Sequence, residues 1–257
     1  MHQKEFQHFI DHGYKDHLSN VSVDCAVFGF HDNQLKVLLL KWRFLRGWSL
    51  PGGYMLRTEN AEEAATRQLK SRTGLDKIFL QQFHTFSGPT RAKLKNVGDA
   101  DLKKVGIVIR PGSWLTEPVV SVGYYALVEY SKITEPKPDF ITDECAWCDI
   151  HTLPKLLFDH ADMIKEALKA LRIQINHQPI GLNLLPKEFT MTELQSLYET
   201  ILDARLDRGN FRKKILSLGI LKKTGERPTG KAHKTPHLYS FEKKEYSKAL
   251  KKGINFL

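Results

Sequence analysis

The stretch from Trp48 to Leu75, WSLPGGYMLRTENAEEAATRQLKSRTGL, gathers charged side chains around a Gly-rich turn and one short helix. Pro51-Gly52-Gly53 gives a loop whose backbone can approach a neighbour closely. Thr58 or Asn60 caps the helix that follows, and Glu59, Glu62 and Glu63 sit near its positive N-terminal end. Ala61, Ala64, Ala65 and Leu69 form an apolar stripe at helical spacing, and Gly74 ends the helix. Taken alone this is an ordinary loop–helix–loop. Its information lies in the combined spacing of the LPGG turn, Glu59, Arg67 and Gly74.

A second concentration of chemistry lies near the C-terminus. Thr190 or Thr192 caps TELQSLYETIL, whose apolar face is Leu194, Leu197, Tyr198 and Ile201. Asp207 starts a second helix, DRGNFRKKILSLG, with Phe211, Ile215 and Leu218 along one side and Gly219 at its end. Arg208, Asn210, Arg212, Lys213 and Lys214 are left for the polar face. ILKKTGERPTGKAHKTPHLYSFE then reads as two strands around a loop, carrying Lys222, Lys223, Arg227, Lys231 and Lys234. Two helices followed by a basic hairpin is the order of a winged helix-turn-helix. Such a helix needs an apolar face to seat it and Arg, Lys or Asn for base edges and phosphates, and a basic wing suits a DNA backbone or minor groove. The alternative is a solvated basic surface. Charge density, helix spacing and basic wing together favour double-stranded DNA.

The elements that must position these groups belong to a chain of 257 residues, enough for one large domain or two modest ones. A hydrophobic content of 41% supports a packed core and excludes a disordered protein. The net charge of +10 is unevenly spread, with 16 basic and 8 acidic residues between Pro186 and Leu257. A basic block at one end points to a polyanion partner. The opening MHQKEFQHFIDHGY lacks the pattern of a secretory signal, and no apolar run approaches the length of a membrane span. A cytoplasmic protein without a membrane partner is expected. Cys25, Cys145 and Cys148, an odd number, agree with a reducing compartment. CAWCDI reads as a strand that sends the two thiols of its C-x-x-C to opposite faces, so a metal pair is not expected there.

In chain order, residues 1–20 predict a short helix or arm. VSVDCAVFGF and LKVLLLKWR predict a hairpin around HDNQ, with Asp24 interrupting the first strand. Asp24 reads equally as a structural hydrogen-bond partner or as a group pointing into a ligand pocket. KIFLQQFHTF is a further strand; residues 87–117 are expected to be an irregular loop. VVSVGYYALVEY and Glu144 to Ile150 are strands. FDHADMIKEALKALRIQI is a helix with Met163, Ile164, Ala167, Leu168 and Leu171 on its buried side. Residues 174–189 carry two prolines and no period, which places a domain junction there. The expected domains are 1–180 and 181–257.

The 48–75 stretch resembles a Nudix box, G-x5-E-x7-R-E-U-x-E-E-x-G-U with U aliphatic. Gly53, Glu59, Arg67, Leu69, Gly74 and Leu75 fall on the frame, but Gln68, Ser71 and Arg72 stand where the family has its carboxylates. The resemblance implies an α/β fold, a Nudix α/β/α sandwich, here followed by the winged helix-turn-helix. In the family those carboxylates hold Mg²⁺, which prefers hard oxygen ligands. A neutral amide, a short hydroxyl and a cation imply no catalytic residues, no metal, no cofactor and no hydrolysis by the usual route. Glu59 is expected to pair with Arg67.

Beyond the box, the chain is similar to bacterial Nudix-related transcriptional regulators. That resemblance implies a Nudix-like domain that senses a small effector and a winged helix that binds operator DNA, as a homodimer. One branch of the group senses ADP-ribose and the other a sugar such as arabinose. VDCAVFGF, SLPGG, LLFDH, IGLNLLP and NFRKK lean to the sugar branch, over nearly the whole chain except residues 87–117. A sugar pocket needs carboxylates, charged donors and an aromatic face, which makes Asp24, Lys41, Arg43, Trp48, Asp159 and His160 the candidate effector-binding residues. The rival expectation is a Nudix hydrolase of a nucleoside diphosphate derivative with displaced metal ligands.

Overall fold

The computed structural model describes residues 1–74, 78–88, 91, 95–133, 137–227 and 235–252. The chain divides into two compact units. The first comprises Met1–Phe28, Lys36–Leu127 and Ile133–Ala167; the second comprises Gly29–Leu35, Val128–Lys132 and Leu168–Leu257. Among the described residues no helix is long and apolar enough to cross a membrane.

The first unit is built on a seven-stranded sheet. Its main path is β3 (Trp48–Ser49), β2 (Gln34–Trp42), β1 (His17–His31), β6 (Val120–Glu129) and β5 (Phe79–Phe86). Off this path β4 (Gly52–Leu56) pairs with β1, and β7 (Thr142–Asp149) pairs with β2. Ser22 to Gly29 on β1 is buried without a break, the signature of a strand covered on both faces. The register sets Asp24 opposite Gly52 and Val23 opposite Gly53. A Cβ at position 52 would run into Asp24 Oδ1 and the Val23 carbonyl, so only glycine fits beside that aspartate.

α1 (His2–His12) forms where a helix or arm is expected. Phe6 and Ile10 bury one side of it with Leu45, Trp114, Leu115 and Leu157. Within the stretch 87–117, expected to be an irregular loop, the described residues from 95 onward are more ordered than their sequence suggests. It contains α3 (Lys95–Lys104) and a helical turn at Trp114–Thr116. Leu102, Ile107, Trp114 and Leu115 are buried, and the Trp114 indole donates to the Ile10 carbonyl at 3.0 Å. Hydrophobic anchoring to α1 supplies the order that local periodicity does not announce. α2 (Ala61–Thr73) carries the box, and α4 (His160–His177) buries Met163, Ile164, Ala167 and Leu171 as expected, while Leu168 is only half-buried.

All three cysteines are free. Burial raises the thiol pKa of Cys25, with the Asp24 charge adding to it; burial pushes Cys145 up to about 12 and also raises Cys148.

The second unit holds α5 (Met191–Leu202), α6 (Arg208–Ser217) and a three-stranded sheet in the order β8 (Phe189–Thr190), β10 (His237–Phe241), β9 (Leu221–Glu226). α7 (Lys243–Lys252) follows the hairpin, an element the sequence reading did not anticipate. Of the two expected caps, Thr190 is the one used. Its hydroxyl accepts from Glu193 N at 3.2 Å while Glu193 reaches back to Thr190 N, a capping box. Leu194, Leu197, Tyr198 and Ile201 are buried together with Phe211 and Ile215. Tyr198 meets Phe211 edge-on at 5.3 Å, and its hydroxyl accepts from Ile180 N at 3.1 Å. Glu199 closes the turn between α5 and α6 by accepting from Leu206 N and Gln195 Nε2. Asp207 caps α6 through Asn210 N at 2.8 Å.

Candidate functional site

α2 is started by Asn60. Its side chain accepts from Glu63 N at 3.0 Å, and Glu63 accepts from Asn60 N at 2.9 Å. Gly74 ends the helix at φ 71°. Glu59 does pair with Arg67: Arg67 Nε donates to Glu59 Oε2 at 2.8 Å, and Leu56 N donates to Oε1 at 2.8 Å. The Arg67 hydrogen bond holds the Glu59 carboxyl below its ordinary value, against a smaller upward push from burial. Arg67 Nη2 also donates to the Tyr54 carbonyl at 3.2 Å. The pair thereby ties the strand before the loop to the helix after it.

The three positions that depart from the family pattern each have local work. With its amide oriented to suit its neighbours, Gln68 donates to the Gly52 carbonyl at 3.2 Å and accepts from Arg67 Nη1 at 3.2 Å. Ser71 Oγ donates to the Gln68 carbonyl at 2.8 Å. Arg72, only 6% exposed, donates from Nη2 to Asp139 Oδ2. Burial raises the Asp139 pKa, but the Arg72 charge and hydrogen bonds outweigh it and hold the carboxyl below its ordinary value.

These groups face a cavity of about 500 Å³ in the first unit, a size suited to a small-molecule ligand. Gly52, Gly53, Arg67, Gln68, Ser71 and Arg72 line one part. Phe6, Phe9, Tyr54, Phe140 and Phe158 supply aromatic surface. Asp24, Arg91 and His160 complete a buried polar corner. There Arg91 Nη2 donates to Asp24 Oδ2 at 3.0 Å, Arg91 Nε donates to Asp159 Oδ2 at 2.8 Å, and Ser121 Oγ donates to Asp24 Oδ2 at 2.6 Å. His160 Nδ1 accepts from Leu50 N at 2.8 Å, which assigns the proton of the neutral ring to Nε2, 3.6 Å from Asp24 Oδ1. Burial lowers the His160 pKa more strongly than Asp24 and Asp159 raise it. Asp24 is a structural hydrogen-bond hub, as one of its two readings expected, and it also forms part of the cavity wall.

Of the six candidate effector residues, Asp24 and His160 line the cavity, and Asp159 stands behind it holding Arg91. Lys41, Arg43 and Trp48 are not brought there, for a reason of strand geometry. Leu40, Trp42 and Ser49 line the cavity, so the alternating Lys41 and Arg43 point the other way. Trp48 pairs with Lys41 across β2 and β3 and shares its face, with Lys41 Nζ 5.8 Å from its ring centre. Arg43 instead pairs with Asp143 at 2.7 Å and donates to the Thr142 carbonyl. Sequence reasoning missed Arg91, Asp139 and the aromatic wall. Arg91 sits in an aperiodic stretch with no local signal. The signal for Arg72 was the cation in a carboxylate position.

In the second unit, Arg208, Asn210, Arg212, Lys213 and Lys214 are exposed on α6 while Phe211 and Ile215 are buried, the division a groove-reading helix needs. Lys222 and Lys223 are exposed on β9. Arg227 is exposed but pairs with Glu193 at 2.7 Å, which commits it to the capping box of α5. Lys231 and Lys234 lie outside the described residues.

Comparison with known proteins agrees with this geometry. Residues 18–167 match the NUDIX domain family model, and residues 181–241 match that of the NrtR DNA-binding winged helix domain. The chain is 27% identical over 234 residues to the ADPR responsive transcriptional repressor NtrR of Acinetobacter baylyi, covering 88% of this chain and 83% of that protein. It is 26% identical over 147 residues to an ADP-ribose pyrophosphatase of Methanocaldococcus jannaschii, covering 56% of this chain and 72% of that one. The crystal structure of Shewanella oneidensis NrtR superposes with a TM-score of 0.67 at 25% identity, over 88% of this chain and 96% of that one. A Nudix α/β domain followed by a winged helix is thus the architecture. With the Nudix match spanning more than half of its length, this chain belongs to the Nudix family and is homologous to the NrtR regulators.

Proposed function

We propose that this chain is a transcriptional repressor whose Nudix domain binds ADP-ribose and whose winged helix binds operator DNA. The observation that carries the reading is the Acinetobacter relative, an ADP-ribose-responsive transcriptional repressor by name, whose similarity covers 88% of this chain. ADP-ribose takes the place of the sugar effector, which finds no support among these relatives. The chemistry of the cavity favours it too. Aromatic side chains suit an adenine ring, and arginines suit a diphosphate flanked by hydroxyl-rich riboses. Asp24, Arg91 and His160 are the groups we assign to the effector hydroxyls.

Hydrolysis is not part of this reading. Gln68 is engaged by Gly52 and Arg67, and Arg72 is a cation paired with Asp139. Among the described residues no cluster of three or more His, Cys, Asp or Glu is placed to hold a metal ion. The donors at the box do not fit the hard, oxygen-rich shell that Mg²⁺ prefers.

Arg208, Asn210, Arg212, Lys213 and Lys214 enter the major groove in this reading, and Lys222, Lys223, Lys231 and Lys234 follow the backbone, while Arg227 stays with Glu193. A homodimer matches the two-fold symmetry of an operator. Effector and DNA affinities are coupled reciprocally. The functional boundary falls near residue 180 and the protein acts in the cytoplasm. The test is fluorescence anisotropy of the full chain on duplexes from its own promoter region, titrated with ADP-ribose or arabinose. Binding above a random duplex that ADP-ribose shifts and arabinose does not is expected. A response to arabinose alone, or Mg²⁺-dependent cleavage of ADP-ribose, overturns the reading.

A further inference from the structure

We propose that Arg72 grips the diphosphate of the effector directly, at the position where a Nudix enzyme holds its metal, and that Asp139 occupies this guanidinium until the ligand arrives. The inference deepens the effector-site reading above and rests on it.

Arg72 is buried and lines the cavity. Its Nε and Nη2 form one edge of the guanidinium fork, the edge that takes two oxygens of a carboxylate or phosphate side by side. Asp139 Oδ2 uses Nη2 alone. Nε is buried and has no hydrogen-bond partner among the described residues. A half-used fork on a residue that lines the cavity is the donor set that a diphosphate completes.

Asp139 can leave that edge without losing its own place. Its other oxygen, Oδ1, accepts from Ile141 N at 2.9 Å, Thr142 N at 2.9 Å and Thr142 Oγ1 at 2.8 Å. The backbone at Arg72 is held independently, since its carbonyl accepts from Lys137 N at 2.8 Å. The exchange of carboxylate for phosphate on Arg72 therefore needs no refolding of either segment. Gln68, Ser71, Gly52 and Gly53 are the neutral neighbours of Arg72 in the lining. A box face with glutamates at these positions repels an anion unless a metal bridges them; this face does not.

Isothermal titration of the full chain in EDTA, with ADP-ribose, ADP and inorganic pyrophosphate, tests the proposal. Arg72→Gln should weaken every one of these that the unmodified chain binds by about 10- to 100-fold, the value of a charged hydrogen-bonded pair. Asp139→Asn keeps an acceptor for the 141–142 turn but removes the competing charge, and should tighten binding several-fold. A purely structural pair gives the opposite for Asp139→Asn, namely weaker binding and a lower melting temperature in both variants, and overturns the proposal. If Arg72→Gln fails to fold, the sign of the Asp139→Asn effect still decides. If ADP-ribose binds both the unmodified chain and Arg72→Gln equally, the ADP-ribose reading stands and the Arg72 assignment falls. If ADP or pyrophosphate binds and ADP-ribose does not, with binding lost in Arg72→Gln, the assignment stands and the ADP-ribose reading falls. Binding that appears only with Mg²⁺, or no diphosphate binding at all, overturns the assignment.

Discussion

Arg91 and Asp24, 67 residues apart in sequence, meet at 3.0 Å in the buried corner of the cavity, with side chains 4% and 10% exposed. Removing one member of such a pair strands the other in a poorly solvated site. Arg91→Met should lower the unfolding free energy by about 3–5 kcal/mol. Adding Asp24→Asn should restore a substantial part of it. Urea denaturation of the two variants checks this, and an additive double variant would show that the two groups do not depend on each other.

The Gly52 position predicts a second large effect. A Cβ there meets Asp24 Oδ1 and the rigid carbonyl of Val23. Gly52→Ala should cost about 1–3 kcal/mol, the typical range for overpacking. Because the displaced atom is Asp24 Oδ1, effector affinity should fall with it, which calorimetry measures.

His160 makes stability depend on pH. Its folded-state pKa lies below the ordinary 6.5, chiefly because it is buried. An unfolded chain takes up the proton first, so the stability tied to neutral His160 is complete above about pH 6.5 and is lost as pH falls from there toward the lower folded value. The melting temperature should drop between pH 7 and pH 5. His160→Asn, which keeps an acceptor for Leu50 N, should flatten that part of the curve. The lowered Glu59 and Asp139 carboxyls act in the same direction at more acidic pH.

DNA binding separates into two contributions. Arg212→Ala should weaken specific binding by about 1–3 kcal/mol if Arg212 reads a base edge. Lys222→Ala, on the exposed face of β9, should mainly reduce the salt slope by about one unit. Anisotropy titrations at several salt concentrations distinguish the two. An unchanged affinity and slope in both variants would take α6 and the hairpin out of the interface.

The parts of this protein that announced themselves in sequence are those decided by local spacing. Gly53, Glu59, Arg67 and Gly74 are separated by fixed numbers of residues because one turn, one helix and one clamp must fit together, and the structure realises that clamp. The helix pair of the second unit was visible for the same reason, through Asp207 and the apolar positions Phe211 and Ile215. Arg91 was not visible because its meaning comes from Asp24 and Asp159, which reach it only through the tertiary fold. Lys41, Arg43 and Trp48 had suitable chemistry, but strand parity decides which face they serve. α7 went unread because its many lysines mask a helical pattern, and Tyr246 is its buried anchor.

The free thiols carry one more implication. A thiol reacts with oxidants and alkylating agents as its thiolate, and burial keeps Cys25 and Cys145 in the protonated form at physiological pH. The raised Cys148 is biased the same way. The thiols of the sheet that carries Asp24 are therefore biased against the thiolate form that oxidants attack.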